Sequence, residues 1–152
     1  MGDLSGEASI EIAAPVERCF AIAADIERAP EWQGAMRSAH ALRRGPGGRP
    51  LLVETEIDAL VAKVTLLLRF DYDEPGRLEW RREGGDLKGL QGSWRFAAAG
   101  DGRTLATYAL DISLNRALAL LRKGVRGPAE SRVRSLLVDR PLEGLKRVAE
   151  DG

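Results

Sequence analysis

The sequence predicts an α+β fold, an antiparallel sheet with a C-terminal helix laid across one face. Three observations carry this. From Met36 to Leu114 apolar residues recur at alternate positions, in runs separated by Gly- and Pro-rich turns. That is the pattern of a strand meander with one face in water. Toward the C-terminus, Val133, Leu136, Leu137, Leu142, Leu145, Val148 and Ala149 recur at helical spacing instead. Ahead of the meander stand one more strand pattern and a short amphipathic helix pattern.

The first strand is Ala8 to Ala13, where Ile10 and Ile12 alternate with Ser9 and Glu11. Pro15 suits the first position of a helix, because its φ is already helical. Val16, Cys19, Phe20 and Ala23 then share one helix face. Pro30 interrupts the pattern, so Ile26 to Gln33 reads as a separate short turn or helix. In the next strand Met36, Ser38, His40 and Leu42 are expected on one face and Arg37, Ala39, Ala41 and Arg43 on the other. Gly45-Pro46-Gly47-Gly48 is a turn by composition. Val53, Thr55 and Ile57 share a face, as do Val64, Leu66, Leu68, Phe70 and Tyr72 after them. Glu74-Pro75-Gly76-Arg77 turns the chain. Leu78, Trp80 and Arg82 alternate with Glu79, Arg81 and Glu83, and Gly84-Gly85-Asp86 turns it again. Leu90, Gly92, Trp94 and Phe96 form the next apolar face, Gly100-Asp101-Gly102 a hairpin turn, and Ala106, Tyr108, Leu110, Ile112 and Leu114 the last strand. Arg116 to Gly127 reads as a loop or short helix ahead of Pro128. Pro141 removes a hydrogen bond to the Leu137 carbonyl and is expected to kink or split the C-terminal helix.

The chain has 152 residues, one domain's worth, and the domain is expected to run from about residue 8 to 150. Lys and Arg number 23, as do Asp and Glu, a neutral balance that argues against a specific nucleic-acid binder. The single Cys19 rules out an intramolecular disulfide. The N-terminal residues lack a targeting pattern and the apolar runs are too short for a transmembrane segment, so a cytoplasmic location is the simplest expectation. Charge is uneven: Arg116 to Glu150 holds nine bases against four acids. A solvated helix face explains this, and so does a weak docking surface for an anionic head group, which leaves peripheral membrane contact open.

Residues for catalysis are sparse. With one His and one Cys, a Ser-His-Asp triad would have to use His40, and no Gly-x-Ser-x-Gly elbow presents a serine. Cys19 lies on the buried face of the first helix, a structural position. Asp71-Tyr72-Asp73-Glu74 reads as a turn start rather than a calcium loop, so neither metal nor cofactor is called for. What remains is a set of large inward residues on a curved sheet: Phe70, Trp80, Trp94 and Tyr108, joined by the polar His40, Thr55 and Arg82. They are either core or the wall of a cavity in which a few polar groups orient an apolar ligand. An inward Arg82 needs an acceptor, from the protein or from an acidic ligand.

Certain segments carry a family resemblance over about Ala8 to Glu150. They are Ala14-Pro15-Val16 with Phe20, Asp25, Pro30-Glu31-Trp32, Leu90-Gln91-Gly92-Ser93-Trp94-Arg95-Phe96, Thr104-Leu105-Ala106-Thr107-Tyr108 and Leu142-Glu143-Gly144-Leu145-Lys146. In order and spacing the chain resembles the START-like (SRPBCC) superfamily, within the polyketide cyclase/dehydrase and coenzyme Q-binding family. The resemblance implies a helix-grip fold: a seven-stranded antiparallel sheet wrapped around a long C-terminal helix, two short helices between the first and second strands, and a hydrophobic cavity inside. It also implies carriers or sensors of lipids, quinones and polyketides, with a minority of cyclases.

The leading expectation is a non-enzymatic binder of a hydrophobic small molecule, as a monomer or weak homodimer. Trp32 would stand at the entrance as a gate. Phe70, Trp80, Trp94 and Tyr108 would line the wall with His40 and Arg82. Leu118, Leu121, Val133 and Leu137 would supply the lid and helix side. Two alternatives stay open. One is a cyclase or dehydratase using His40 or Tyr108 as proton carrier, with Arg82 holding an enolate. The other is an interaction module built on the basic Arg116 to Arg134 segment.

Overall fold

The computed structural model describes residues 4–58, 63–114 and 135–151. Its centre is a seven-stranded antiparallel sheet in the order β1-β7-β6-β5-β4-β3-β2. The strands are β1 (Leu4–Ile12), β2 (Met36–Arg44), β3 (Pro50–Asp58), β4 (Lys63–Asp73), β5 (Arg77–Gly85), β6 (Gly89–Ala98) and β7 (Thr104–Ser113). Strands β2 to β7 form the meander, and β1 closes it by pairing with β7, Ala8 opposite Tyr108. Helix α1 (Val16–Ala24) and a 3-10 helix (Ile26–Glu31) lie between β1 and β2. Helix α2 (Arg140–Asp151) ends the chain's described part. Among the described residues no helix is long and apolar enough to cross a membrane.

Alternation sets the faces of β3 to β7 as expected: Val53, Thr55, Leu66, Leu68, Phe70, Leu78, Trp80, Leu90, Trp94, Phe96, Tyr108 and Leu110 are all buried on the inner face. In β2 the expected faces are overturned. Met36 pairs with Ile57 and Ser38 with Glu56, so Arg37 is an extra residue on its strand. A bulge of one residue moves every later side chain to the opposite face. Ala39, paired with Thr55, is therefore the buried member, and His40, paired with Glu54, is exposed on the outer face.

Pro15 serves as the N-cap of α1 rather than its first helical residue, with ψ extended at 158°. It has no side-chain acceptor, and its carbonyl accepts from the N–H groups of Arg18 and Cys19 at 3.1 Å. The effect expected of Pro141 is visible just ahead of it. Ser135–Asp139 forms a widened π turn, and the regular helix begins at Arg140. A turn with hydrogen bonds spanning five residues does not need the N–H that proline lacks.

Helix α2 buries Leu142, Gly144, Leu145 and Ala149. Its C-terminal turn is held from α1, where Arg18 Nε donates to the Ala149 carbonyl at 2.7 Å and Nη2 to that of Val148 at 3.3 Å. A cation at a helix C-terminus also meets the negative end of the helix dipole. In the same corner the Glu150 carboxylate accepts from the Ala13 N–H at 2.8 Å and from Lys146 Nζ at 2.6 Å. The Ala13 N–H first, then Lys146, hold this carboxyl below the usual Glu range. Its contribution to stability is thus complete above the unfolded pKa, about 4.3, and is lost as pH falls through the lower folded value. Glu150→Gln should shrink the drop in Tm that wild type shows on acidification through that window. A Tm–pH curve that merely shifts down in parallel would contradict this.

Candidate functional site

The inner face of the sheet, α1 and its following 3-10 helix, and the start of the C-terminal segment enclose an apolar cavity. The sheet supplies its floor through Leu68, Phe70, Leu78, Trp80, Trp94 and Tyr108. Ala23, Ile26 and Ala29 form one wall, and Leu136, Leu137 and Pro141 face them. About 60 Å³ is open to the centre of a water-sized sphere, and the atom-free volume including the mouth is about 630 Å³. A single water needs roughly 10–15 Å³ on the first measure, so the space is real but small without movement of the walls.

The floor is a run of aromatic rings in mutual contact. Phe70 and Trp80 lie 5.9 Å apart between centroids, Trp80 and Tyr108 5.6 Å, and Tyr108 meets Trp94 edge-on at 4.7 Å. Gly92 makes this possible. It pairs with Trp80 across β5 and β6, and a Cβ at Gly92 would lie 2.4–2.5 Å from three atoms of the Trp80 indole. The indole therefore lies directly on the β6 backbone and reaches Tyr108 on β7.

Polar groups on the wall are few. Gln33, half-buried, is one, and Tyr108 on the floor is another. Tyr108 is 5 % exposed, and its hydroxyl has no hydrogen-bond partner among the described residues. Burial pushes its pKa well above the ordinary phenol value, so at neutral pH it is a hydrogen-bond donor and not a base. It is the one titratable side chain among the described residues lining the cavity.

Of the residues singled out in the sequence, Phe70, Trp80, Trp94, Tyr108 and Leu137 line this cavity. His40 does not, because the bulge at Arg37 turns it outward, and the proton-carrier role expected of it goes with that face. Trp32 is not an entrance residue either. It is 6 % exposed, packs 6.2 Å from Trp94, and its carbonyl lies where a Cβ of Gly144 would be, so the turn is pressed against α2. Arg82 keeps its inward parity but stands outside the enclosed volume, half-buried beside it. Thr55 is inward and fully buried, with its hydroxyl donating to the Leu66 carbonyl at 3.3 Å. Leu118, Leu121 and Val133 lie outside the described residues. The other wall residues were not singled out in the sequence, among them Ile26, Gln33, Met36, Leu68, Leu136 and Pro141. Met36 and Leu136 did carry a signal, as apolar members of their patterns, whereas Gln33 carried none.

A seven-stranded antiparallel sheet closed by a C-terminal helix over an apolar cavity is a START-like, helix-grip fold. The chain belongs to the polyketide cyclase/dehydrase and lipid transport family, whose model matches residues 3–150. It is similar in structure to a START superfamily protein from Mycobacterium smegmatis, with a TM-score of 0.80, 18% identity and 97% of each chain covered. A protein from Thermus thermophilus gives 0.74 at 24% identity, covering 96% of this chain and 99% of that one. The Zhui aromatase/cyclase from a Streptomyces species gives 0.73 at 20% identity, covering 97% and 93%. At these identities the likeness concerns the fold. No curated protein matches the chain.

Proposed function

We propose that this protein binds an apolar small molecule of lipid, quinone or polyketide type in the cavity between the sheet and the C-terminal segment, as a carrier or sensor. The observation that carries this reading is the wall itself: apolar and aromatic side chains but for Gln33, with one buried phenol whose hydroxyl is unpartnered among the described residues. Apolar burial would supply the affinity at roughly 25 cal/mol per Å² before ordering costs. The phenol would supply orientation by donating to a carbonyl or hydroxyl oxygen of the ligand. A group held protonated by burial suits that task better than proton abstraction, which favours binding over cyclisation.

Native mass spectrometry of freshly purified protein tests for a co-purifying ligand. A matched pair of probes tests the phenol: the ketone α-tetralone and its hydrocarbon counterpart tetralin. Tyr108→Phe should weaken α-tetralone binding by about threefold to tenfold, the worth of one hydrogen bond, and leave tetralin and Tm nearly unchanged. Failure of wild type to bind either probe, with no ligand co-purifying, would remove the reading.

A further inference from the structure

Arg82 is a cation beside an apolar cavity, and among the described residues its hydrogen-bonding capacity is largely unused. Its register partner on β4 is Leu68. On the other side Arg81 pairs with Gln91, so one step further along the two strands lie Arg82 and Leu90. Leu68 and Leu90 both line the cavity. Arg82 thus stands on the inner face between two wall residues, two positions along the same strand from Trp80, and its guanidinium reaches toward Gly85 at the end of the strand. Nη2 donates to the Gly85 carbonyl at 2.9 Å. Nε is buried and has no acceptor among the described residues. No carboxylate pairs with Arg82 among the described residues, although Arg69, Arg77 and Arg95 on the same sheet each have one. Those three can also turn to water, whereas the buried Nε of Arg82 cannot. A buried guanidinium N–H without an acceptor is costly and calls for a partner that the described residues do not supply.

We infer that Arg82 receives the acidic head group of the cavity's ligand, and that the ligand is an amphipathic carboxylic acid whose apolar body lies on the aromatic floor. This rests on the cavity being the binding site. A carboxylate is planar and offers two oxygens. Once the Arg82 side chain turns enough to uncover Nε, the carboxylate can accept from Nε and Nη2 together in a side-on fork, which relieves the orphaned Nε and leaves the other Nη2 hydrogen for Gly85. An apolar tail entering beside it would pass Leu68 and Leu90 before reaching Trp80 and Tyr108. The head group would remain at the half-exposed rim, where a charge is not fully desolvated.

The test compares three probes of one tail length: octanoate, methyl octanoate and octanol, by displacement of a naphthalene dye at neutral pH. Wild type should bind octanoate about tenfold more tightly than the ester or alcohol, as expected for a charge-assisted pair near the surface. Arg82→Met should abolish that preference while octanol binds as before, and Arg82→Lys should restore only part of it, because an ammonium cannot form the fork. Equal binding of all three by wild type would overturn the acid-anchor inference and leave the cavity reading standing. The acid anchor is likewise overturned if Arg82→Met, melting like wild type, keeps its preference for octanoate. Failure of wild type to bind any of the three overturns the cavity reading and this inference with it.

Discussion

Trp32→Ala should cost about 3–5 kcal/mol of stability, the usual range for deleting a buried tryptophan. The fall in Tm should be on the order of 10 °C for a chain of this size. The indole is 6 % exposed and contacts Trp94, the most enclosed ring of the sheet. The backbone around it is as constrained as the ring. Trp32 N–H donates to the Ala29 carbonyl at 3.0 Å, and the Trp32 carbonyl approaches α2 so closely that only a glycine fits at position 144. Truncation would leave a void between the turn, β6 and α2 that none of these three could collapse to fill. Because Trp32 does not line the cavity, the folded fraction should still bind tetralin within a few fold of wild type. A gate behaves in the opposite way. If Trp32→Ala melts like wild type and loses probe affinity, the tryptophan belongs to the entrance after all.

The strand faces of β3 to β7 are legible because large apolar residues recur there at every second position, mostly with polar or charged residues between. A single wrong parity would expose Leu66, Leu68 and Phe70 together. Strand β2 lacks that contrast. Met36-Arg37-Ser38-Ala39-His40-Ala41 offers small residues on both faces, so alternation cannot locate the bulge that sends His40 outward. Trp32 is misread for a different reason. A large aromatic in a turn can pack or gate, and here the choice is made by Gly144 on α2, far along the chain. The aromatic floor of the site is legible, since Phe70, Trp80, Trp94 and Tyr108 share one parity. Gln33, by contrast, acquires its place only from how the turn docks on the sheet. The role of Pro141 is half legible: the break in the helix follows from its chemistry, but not that the widened turn sets Leu136, Leu137 and Pro141 on the cavity wall.

Gly92→Ala should impair ligand binding more than any substitution of a wall residue's polar atom, although Gly92 presents no side chain to the ligand. The added Cβ would lie 2.4 Å from Cε2 and 2.5 Å from Cζ2 and Nε1 of Trp80, where ordinary contact begins near 3.4 Å. The indole must therefore move by about an ångström. It cannot slide along the sheet, because Phe70 stands on one side at 5.9 Å and Tyr108 on the other at 5.6 Å. The remaining direction is upward, into a cavity that has about 60 Å³ to give. Overpacking of this kind costs roughly 1–3 kcal/mol of stability. The same movement removes the space a ligand would use, so tetralin affinity should fall by roughly tenfold or more, the loss expected when about 1.4 kcal/mol or more of apolar burial is denied. The double substitution Gly92→Ala with Trp80→Leu separates the two effects. A smaller side chain at position 80 no longer meets the new methyl, so binding should recover and part of the stability with it, a coupling that independent sites would not show. Wild-type affinity and Tm in Gly92→Ala alone would mean that the Trp80 ring is not held against β6, and the aromatic floor would have to be redrawn.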